Sequence, residues 1–139
     1  MAEDKCNCSN PLVPSIAEVV NIVDETPDVK TFHVRKPEGG VPFNVRPGQL
    51  AMVTVLPTGE GMFSVSWQEE DDHLEFAIRR VGLMTDELHT IDIGQKLGVR
   101  GPYGNGFPTD TCKGRDMLFI AGGIGLAPLR SFIKYCFKH

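Results

Sequence analysis

Short stretches of β-forming residues separated by turn residues dominate the first hundred positions. The apolar, β-branched run IAEVVNIV predicts a first strand over Ser15–Val23, and Thr26-Pro27-Asp28 predicts a turn. Val29–Arg35 alternates with period two and predicts a second strand, with Val29, Thr31, His33 and Arg35 on one face. KPEGGVPFNVRPGQ, residues 36–49, reads as a loop because of its prolines and glycines. Leu50–Leu56 and Met62–Trp67 predict two further strands, with Pro57-Thr58-Gly59 between them and the acidic turn QEEDD after them. His73–Val81 places Leu74, Phe76 and Ile78 on one side and Glu75 and Arg79 on the other; continued, the alternation carries Arg80 to the Phe76 side. Thr85 is placed to cap a short helix, TDELHTI. Lys96–Gly101 is the sixth strand, and GPYGNGFP a tight loop. Six modest strands with one short helix before the last predict a mainly β, antiparallel barrel rather than a βαβ sheet.

The pattern changes at residue 116. DMLFIA (Asp116–Ala121) is a continuous apolar run, as in a strand buried on both faces. It leads into GGIGLAP and then the helical segment LRSFIKYCFKH. Strand, glycine turn and helix form the opening unit of a nucleotide-binding α/β domain. Leu126, Leu129, Ile133 and Phe137 make an apolar stripe with no following strand to cover it. The chain divides into a flexible arm (1–14), a barrel (15–110) and the beginning of an α/β domain (116–139).

Composition narrows the function classes. A chain of 139 residues, 41% hydrophobic, is large enough to bury a core without disulfides or metals. Its net charge of -4 has the wrong sign for a sequence-independent nucleic-acid binder. No apolar run approaches the roughly 18 residues of a membrane span, and MAEDKCNCSN lacks the layout of a signal peptide, so a cytoplasmic location is expected. The four cysteines form no framework. They read as reduced thiols, the alternative being that Cys6 and Cys8 join a metal or cluster site completed by another chain. His33, His73 and His89 stand isolated in sequence, so no metal site is expected from them. Trp67 reads as core or rim. Glu69–Asp72 reads as a solvated turn, or alternatively as a docking surface for a basic partner.

Three segments carry candidate chemistry. In GGIGLAP, Gly122, Gly123 and Gly125 allow a sharp turn and close approach of a pyrophosphate at a helix start, and Pro128 is tolerated in a first helical turn. FSVS (Phe63, Ser64, Val65, Ser66) offers an aromatic surface and two hydroxyls on a strand. RRVGLMT offers Arg79, Arg80, Val81, Gly82, Met84 and Thr85: positive charge, a glycine turn and a helix start. A ring surface, a hydroxyl for its edge and a phosphate turn are the inventory that a flavin nucleotide needs.

The order PGQL (Pro47–Leu50), FSVS, RRVGLMT, GPYGNGF (Gly101–Phe107) and AGGIGLAP (Ala121–Pro128) resembles the ferredoxin–NADP reductase superfamily. Within it, the chain is most similar to the FAD/NAD-binding gamma subunits of cytosolic hydrogenases, their counterparts in anaerobic sulfite reductases and related electron-transfer subunits; DETPDVKTF (Asp24–Phe32) strengthens that narrower match. The resemblance implies a six-stranded antiparallel Greek-key flavin-binding barrel followed by the first strand and helix of an NAD(P)-binding α/β domain. It places Phe63 beside the isoalloxazine and Ser64 near flavin N5. Val65, Ser66, Arg79, Arg80, Val81, Gly82, Met84 and Thr85 complete the FAD site, and Gly122, Gly123, Gly125 and Pro128 the nucleotide turn. The family's pyrophosphate-binding arginine falls on Gly61, which leaves the phosphate to Arg79, Arg80 and the Gly82–Thr85 turn. The rest of the α/β domain and the family's C-terminal [2Fe-2S] cysteine cluster are not in the sequence, so the chain looks like the front half of a longer protein or a natural truncation. The implied function is passage of electrons between NAD(P)H and an iron–sulfur partner in a multisubunit hydrogenase or reductase complex, through FAD. The alternative is a scaffold barrel that has lost flavin binding.

Overall fold

Seven strands, each antiparallel to its neighbours, form one sheet in the order β4-β3-β7-β1-β2-β6-β5. The computed structural model describes residue 10 and residues 12–139. Most of the expected arm, with Cys6 and Cys8, lies outside them. The strands are β1 (Ser15–Thr26), β2 (Val29–Arg35), β3 (Leu50–Val55), β4 (Gly59–Ser64), β5 (Trp67–Glu69), β6 (His73–Arg79) and β7 (Lys96–Tyr103). Helix α1 (Leu83–Leu88) precedes β7, and α2 (Thr109–Cys112) follows it. A 3-10 turn, Gly123–Gly125, leads into α3 (Leu126–Lys138).

The two edge strands, β4 and β5, are consecutive in the chain and joined by Val65 and Ser66 alone. From Ser64 to Trp67 the chain spans at most about 10–11 Å, so the sheet must curl until its edges approach. The crossing is stitched on both sides: the Val65 N–H donates to Gln49 O (3.1 Å) and the Ser66 N–H to Glu75 O (2.9 Å). No ladder joins β4 to β5, so the barrel is not closed. Met62–Trp67 is therefore not one strand, and the count is seven rather than six. Val65 and Ser66 are consecutive and both 1% exposed, which an alternating strand lining one core cannot achieve.

Inside the curl, Phe32 and Val34 of β2 meet Leu74, Phe76 and Ile78 of β6, as the alternation predicts. Leu88 of α1 joins the same core. Val29, Thr31, His33 and Arg35 form the outer face of β2. Val29 and Thr31 are nevertheless buried, because the glycine turn and α3 lie over this part of the sheet.

The segment after residue 115 departs from expectation. Asp116–Ala121 forms no strand, and Leu118 and Ile120 are 84% and 83% exposed. A parallel strand takes its hydrogen bonds from a neighbouring strand, and among the described residues none lies alongside. The apolar stripe of α3 is only partly covered: Leu129 and Ile133 are half-buried, while Leu126 and Phe137 stay exposed. The helix instead buries Ser131 and Phe132. Phe132 stacks on Phe107 (centroids 5.0 Å apart, planes at 13°), and the Ser131 hydroxyl accepts from the Gly48 N–H at 3.3 Å. Lys134 Nζ sits 4.1 Å from the centre of the Trp67 ring, so Trp67 is a rim residue under a cation.

Gly48 therefore supports both the loop and the helix. Its φ is +85°, and a Cβ there would lie 2.6 Å from Cδ2 of Phe107, a ring already held by Phe132. Gly48→Ala should destabilise the chain by about 2–4 kcal/mol, combining left-handed backbone cost and overpacking. Urea unfolding should show a lower midpoint at unchanged slope.

Candidate functional site

A cavity of about 460 Å³ opens between the outer face of β2 and β6 and the start of α3. Val29, Thr31, Ser66, Arg79, Gly123 and Arg130 are among its lining residues. That volume falls in the usual range for ligand pockets, roughly 300–1,000 Å³. Two guanidinium groups border the cavity, each held by a carboxylate. Arg79 Nε lies 3.2 Å from Asp28 Oδ2, and Arg130 Nη1 donates to Glu75 Oε2. The Thr26 hydroxyl and Arg79 together hold the Asp28 carboxyl below its ordinary value. Gly123 has φ +53°, and a Cβ there would come within 3.7 Å of Arg79 Nη2. The glycine turn and Arg79, distant in sequence, thus meet here.

A second group lies along β4. The Phe63 ring covers Gly61, where a Cβ would be 2.9 Å from two ring carbons and 3.7 Å from Met84 Sδ. The space that any side chain at position 61 would need is filled by that ring. Thr85 stands beside it on α1 but does not cap the helix; Gly82 is the N-cap, without a side-chain bond. Thr85 is the third helical residue, buried, and its hydroxyl accepts from the Val81 N–H (2.8 Å) and donates to Gly82 O (2.9 Å). The Asp86 N–H, bonded to Gly82 O, is the first to join the helical pattern, leaving the amides of Leu83, Met84 and Thr85 without an intrahelical acceptor.

Arg80 does not lie on the Phe76 side. The strand ends at Arg79; the Arg80 N–H donates to Asp28 O, and its side chain, 58% exposed, pairs with Asp86 at 2.8 Å. Ser64, half-buried opposite Leu50, and Val65 lie between the two groups. Ser66 has its hydroxyl committed to Glu75 O at 2.9 Å. Of the glycines in the nucleotide turn, only Gly123 has positive φ; nothing lies within 4 Å of a Cβ built at Gly122 or Gly125. Pro128 sits in the first turn of α3, where its carbonyl accepts from the Ser131 hydroxyl. The structure thus brings Ser66, Arg79 and Gly123 together, and Phe63 with Met84, with Ser64 and Val65 linking the groups. From Gly61 to Ser66 an extended chain covers roughly 16 Å.

The sequence concealed a cluster on the same outer face. His33 lies directly opposite Glu75 in the β2–β6 register, and His73 is two residues before Glu75. His33 Nδ1 is 3.0 Å from His73 Nε2, so these two histidines are not isolated. His89 is elsewhere, its Nε2 2.9 Å from Ile78 O. Burial lowers the His33 pKa below its ordinary 6.5, against the opposing pull of Glu75. Same-face spacing was readable within each strand, but their pairing was not. The acidic run is likewise engaged: Glu69 accepts from Trp67 Nε1, and Asp72 contacts His73.

Comparison with known proteins follows the same outline. Residues 17–107 match the family described as "Oxidoreductase FAD-binding domain". Sulfhydrogenase 2 subunit gamma of Pyrococcus furiosus is 36% identical over 128 residues, 91% of this chain and 44% of that protein. A probable dihydroorotate dehydrogenase B (NAD(+)) electron transfer subunit of Methanothermobacter thermautotrophicus is 40% identical over 121 residues, 84% of this chain and 42% of that one. The chain spans less than half the length of these curated relatives. Ferredoxin-NADP+ reductase from Plasmodium falciparum shares the fold, with TM-score 0.76 at 19% identity, over 93% of this chain and 56% of that one. Among the described residues, no helix is long and apolar enough to cross a membrane.

Two outcomes follow from the geometry. Thr85→Val keeps the shape but leaves the Val81 amide without its acceptor, and should cost about 1–2 kcal/mol in equilibrium unfolding. For His33, the unfolded chain takes up a proton near pH 6.5 while the folded chain resists until lower pH. Stability from this group is therefore present above 6.5 and lost as the pH falls through the depressed folded value. Thermal melts between pH 8 and 5 should show that loss, and His33→Gln should flatten it.

Proposed function

The chain belongs to the oxidoreductase FAD-binding domain family, and from that premise we propose that it is the flavin-binding part of an electron-transfer oxidoreductase, linking NAD(P)H to an iron–sulfur partner through FAD. The observation that carries the reading is the β4–β5 crossing: Ser64, Val65 and Ser66 lead without a break from the Phe63–Met84 group at α1 to the cavity bordered by Arg79 and Gly123. An elongated dinucleotide needs such a run of sites, with a surface for its ring and donors for its phosphates. The residues present fit that need. Gly82 has open space where a Cβ would be, beside the amides of Leu83, Met84 and Thr85, which have no intrahelical acceptor. Arg79 supplies positive charge at the cavity.

FAD, when bound, supplies the exchange between two-electron hydride chemistry and single-electron transfer. In this reading, Phe63 gives contact area to the ring, Ser64 offers a hydroxyl at its N5 edge, and the Val81–Thr85 turn and Arg79 bind the pyrophosphate. Arg80 has a smaller part because it does not line the cavity that Arg79 borders. The Gly122–Gly125 turn with Pro128 would receive NAD(P)H, as the NAD(+) in one relative's name supports. We assign residues 15–110 to the flavin barrel and 116–139 to the beginning of the nicotinamide-nucleotide domain. The relatives' names make them subunits, which supports assembly into a larger complex; the partner we propose is an iron–sulfur or hydrogenase-type subunit, and the compartment the cytoplasm.

A scaffold without flavin is favoured by one observation: glycine stands at position 61, beneath the Phe63 ring, where the family resemblance puts a phosphate-binding arginine. Absorbance separates the two readings. Flavin-like bands on the purified protein, or uptake of added FAD at micromolar concentration, support the flavin reading; a colourless protein that takes up none supports the scaffold. FAD should bind about tenfold or more tightly than FMN, since the phosphate turn and Arg79 serve two phosphates (about 1.4 kcal/mol). Equal binding would remove the pyrophosphate assignment. Phe63→Ala should weaken FAD more than it weakens an adenine nucleotide lacking the ring. Ser64→Ala should leave affinity nearly unchanged while shifting the flavin potential; an unaltered potential would remove the N5 role.

A further inference from the structure

We propose that His33, His73 and Glu75 form a binding site for a zinc-class divalent transition ion on the outer face of β2 and β6, separate from the flavin reading above. The β2–β6 register sets His33 against Glu75, and the two-residue strand period adds His73 on the same face. One ligating atom from each residue lies within 4.8 Å of the other two. His33 Nδ1 to His73 Nε2 is 3.0 Å, and His73 Nε2 to Glu75 Oε1 is 3.5 Å. In a tetrahedral site with metal–nitrogen bonds near 2.0–2.1 Å, neighbouring ligand atoms stand about 3.4 Å apart. The two measured edges bracket that value.

The surroundings prepare the ligands. Asp72 Oδ2 lies 2.6 Å from His73 Nδ1 and fixes the proton there, so the Nε2 lone pair points away from Asp72, toward His33 and Glu75. Asp72 Oδ1 faces Arg35 at 3.7 Å. Glu75 is buried, and Arg130 occupies its Oε2, leaving Oε1 on the histidine side. Arg35 and Arg130 oppose a cation by charge, while Asp72 and Glu75 offset them. Without metal, two imidazole nitrogens 3.0 Å apart share one proton, donated by His33 Nδ1 to His73 Nε2. An ion entering between them binds His33 Nδ1, and the single proton of that neutral imidazole moves to Nε2. Two imidazoles and a carboxylate suit zinc, cobalt or nickel better than magnesium or calcium, and a water completes four ligands. Through Glu75 and Arg130, the ion would sit at the junction between the sheet and α3.

Cobalt(II) serves as the visible probe on the metal-free, reduced chain. We expect one equivalent to bind with the absorption bands of a four-coordinate site lacking thiolate charge transfer, with displacement by zinc. His33→Gln and His73→Gln should each weaken binding at least about tenfold, and Asp72→Asn by about 10–100-fold. Because Asp72 is exposed, that variant keeps the test informative if a histidine variant fails to fold. The Cys6→Ser/Cys8→Ser double variant should bind as the parent does. Thiolate bands, loss of binding in the double-serine variant, binding unaffected by all three His33, His73 and Asp72 substitutions, or no cobalt uptake would each overturn the proposal.

Discussion

Everything in this molecule follows from a two-residue connection between the ends of its sheet. β4 and β5 are the two edges of a seven-stranded sheet, yet only Val65 and Ser66 separate them. The chain satisfies that demand by curling the sheet and bonding the connection on both sides, to Gln49 and to Glu75. Each amide at the crossing is buried, so each needs its partner, and an unsatisfied one would cost about 1–3 kcal/mol. The crossing thus fixes the curvature and the position of Ser64 and Ser66. It also fixes Glu75, the residue from which both the α3 ion pair and the histidine cluster extend.

Much of this was legible in the chain. β2 was readable to the residue, because Val29–Arg35 alternates cleanly and is bounded by a turn and a proline-rich loop. The core face of β6 followed from Leu74, Phe76 and Ile78. The break at Val65–Ser66 was not legible, since MFSVSW has the composition of one strand and only tertiary closure bends it. Residues 116–121 misled for the opposite reason. Their apolar content matches a buried strand, but a strand is defined by a partner that lies elsewhere in the chain or outside it. Thr85 stands out in the sequence, though in the wrong role: its hydroxyl ties the third helical residue back to Val81 instead of capping. The meeting of Arg79 with Gly123 and of His33 with His73 depended on packing and strand order, which local periodicity does not encode.

The attachment of α3 shows how an aromatic stack and a few polar contacts set a helix orientation that leaves its apolar stripe only partly covered. Phe132 on Phe107, Arg130 on Glu75, Lys134 over Trp67 and Ser131 beneath Gly48 all lie on the docked side. Phe137 stays exposed at the far end of the helix, and Leu126 is half-exposed at the cavity rim. The same docking walls the cavity where Arg79 meets the glycine turn. Helix orientation and site geometry are therefore one consequence, not two.

The central claim is that the β4–β5 crossing sets the curl and that the proposed flavin site is built on it. Residue-resolved amide hydrogen exchange, with and without FAD, tests it most directly. The account predicts that Val65 and Ser66 exchange as slowly as the core amides of β6 without cofactor, and that FAD slows Ser64–Ser66 and the Val81–Thr85 turn further. Rapid exchange at Val65 and Ser66, or FAD protection confined to other segments, would contradict it.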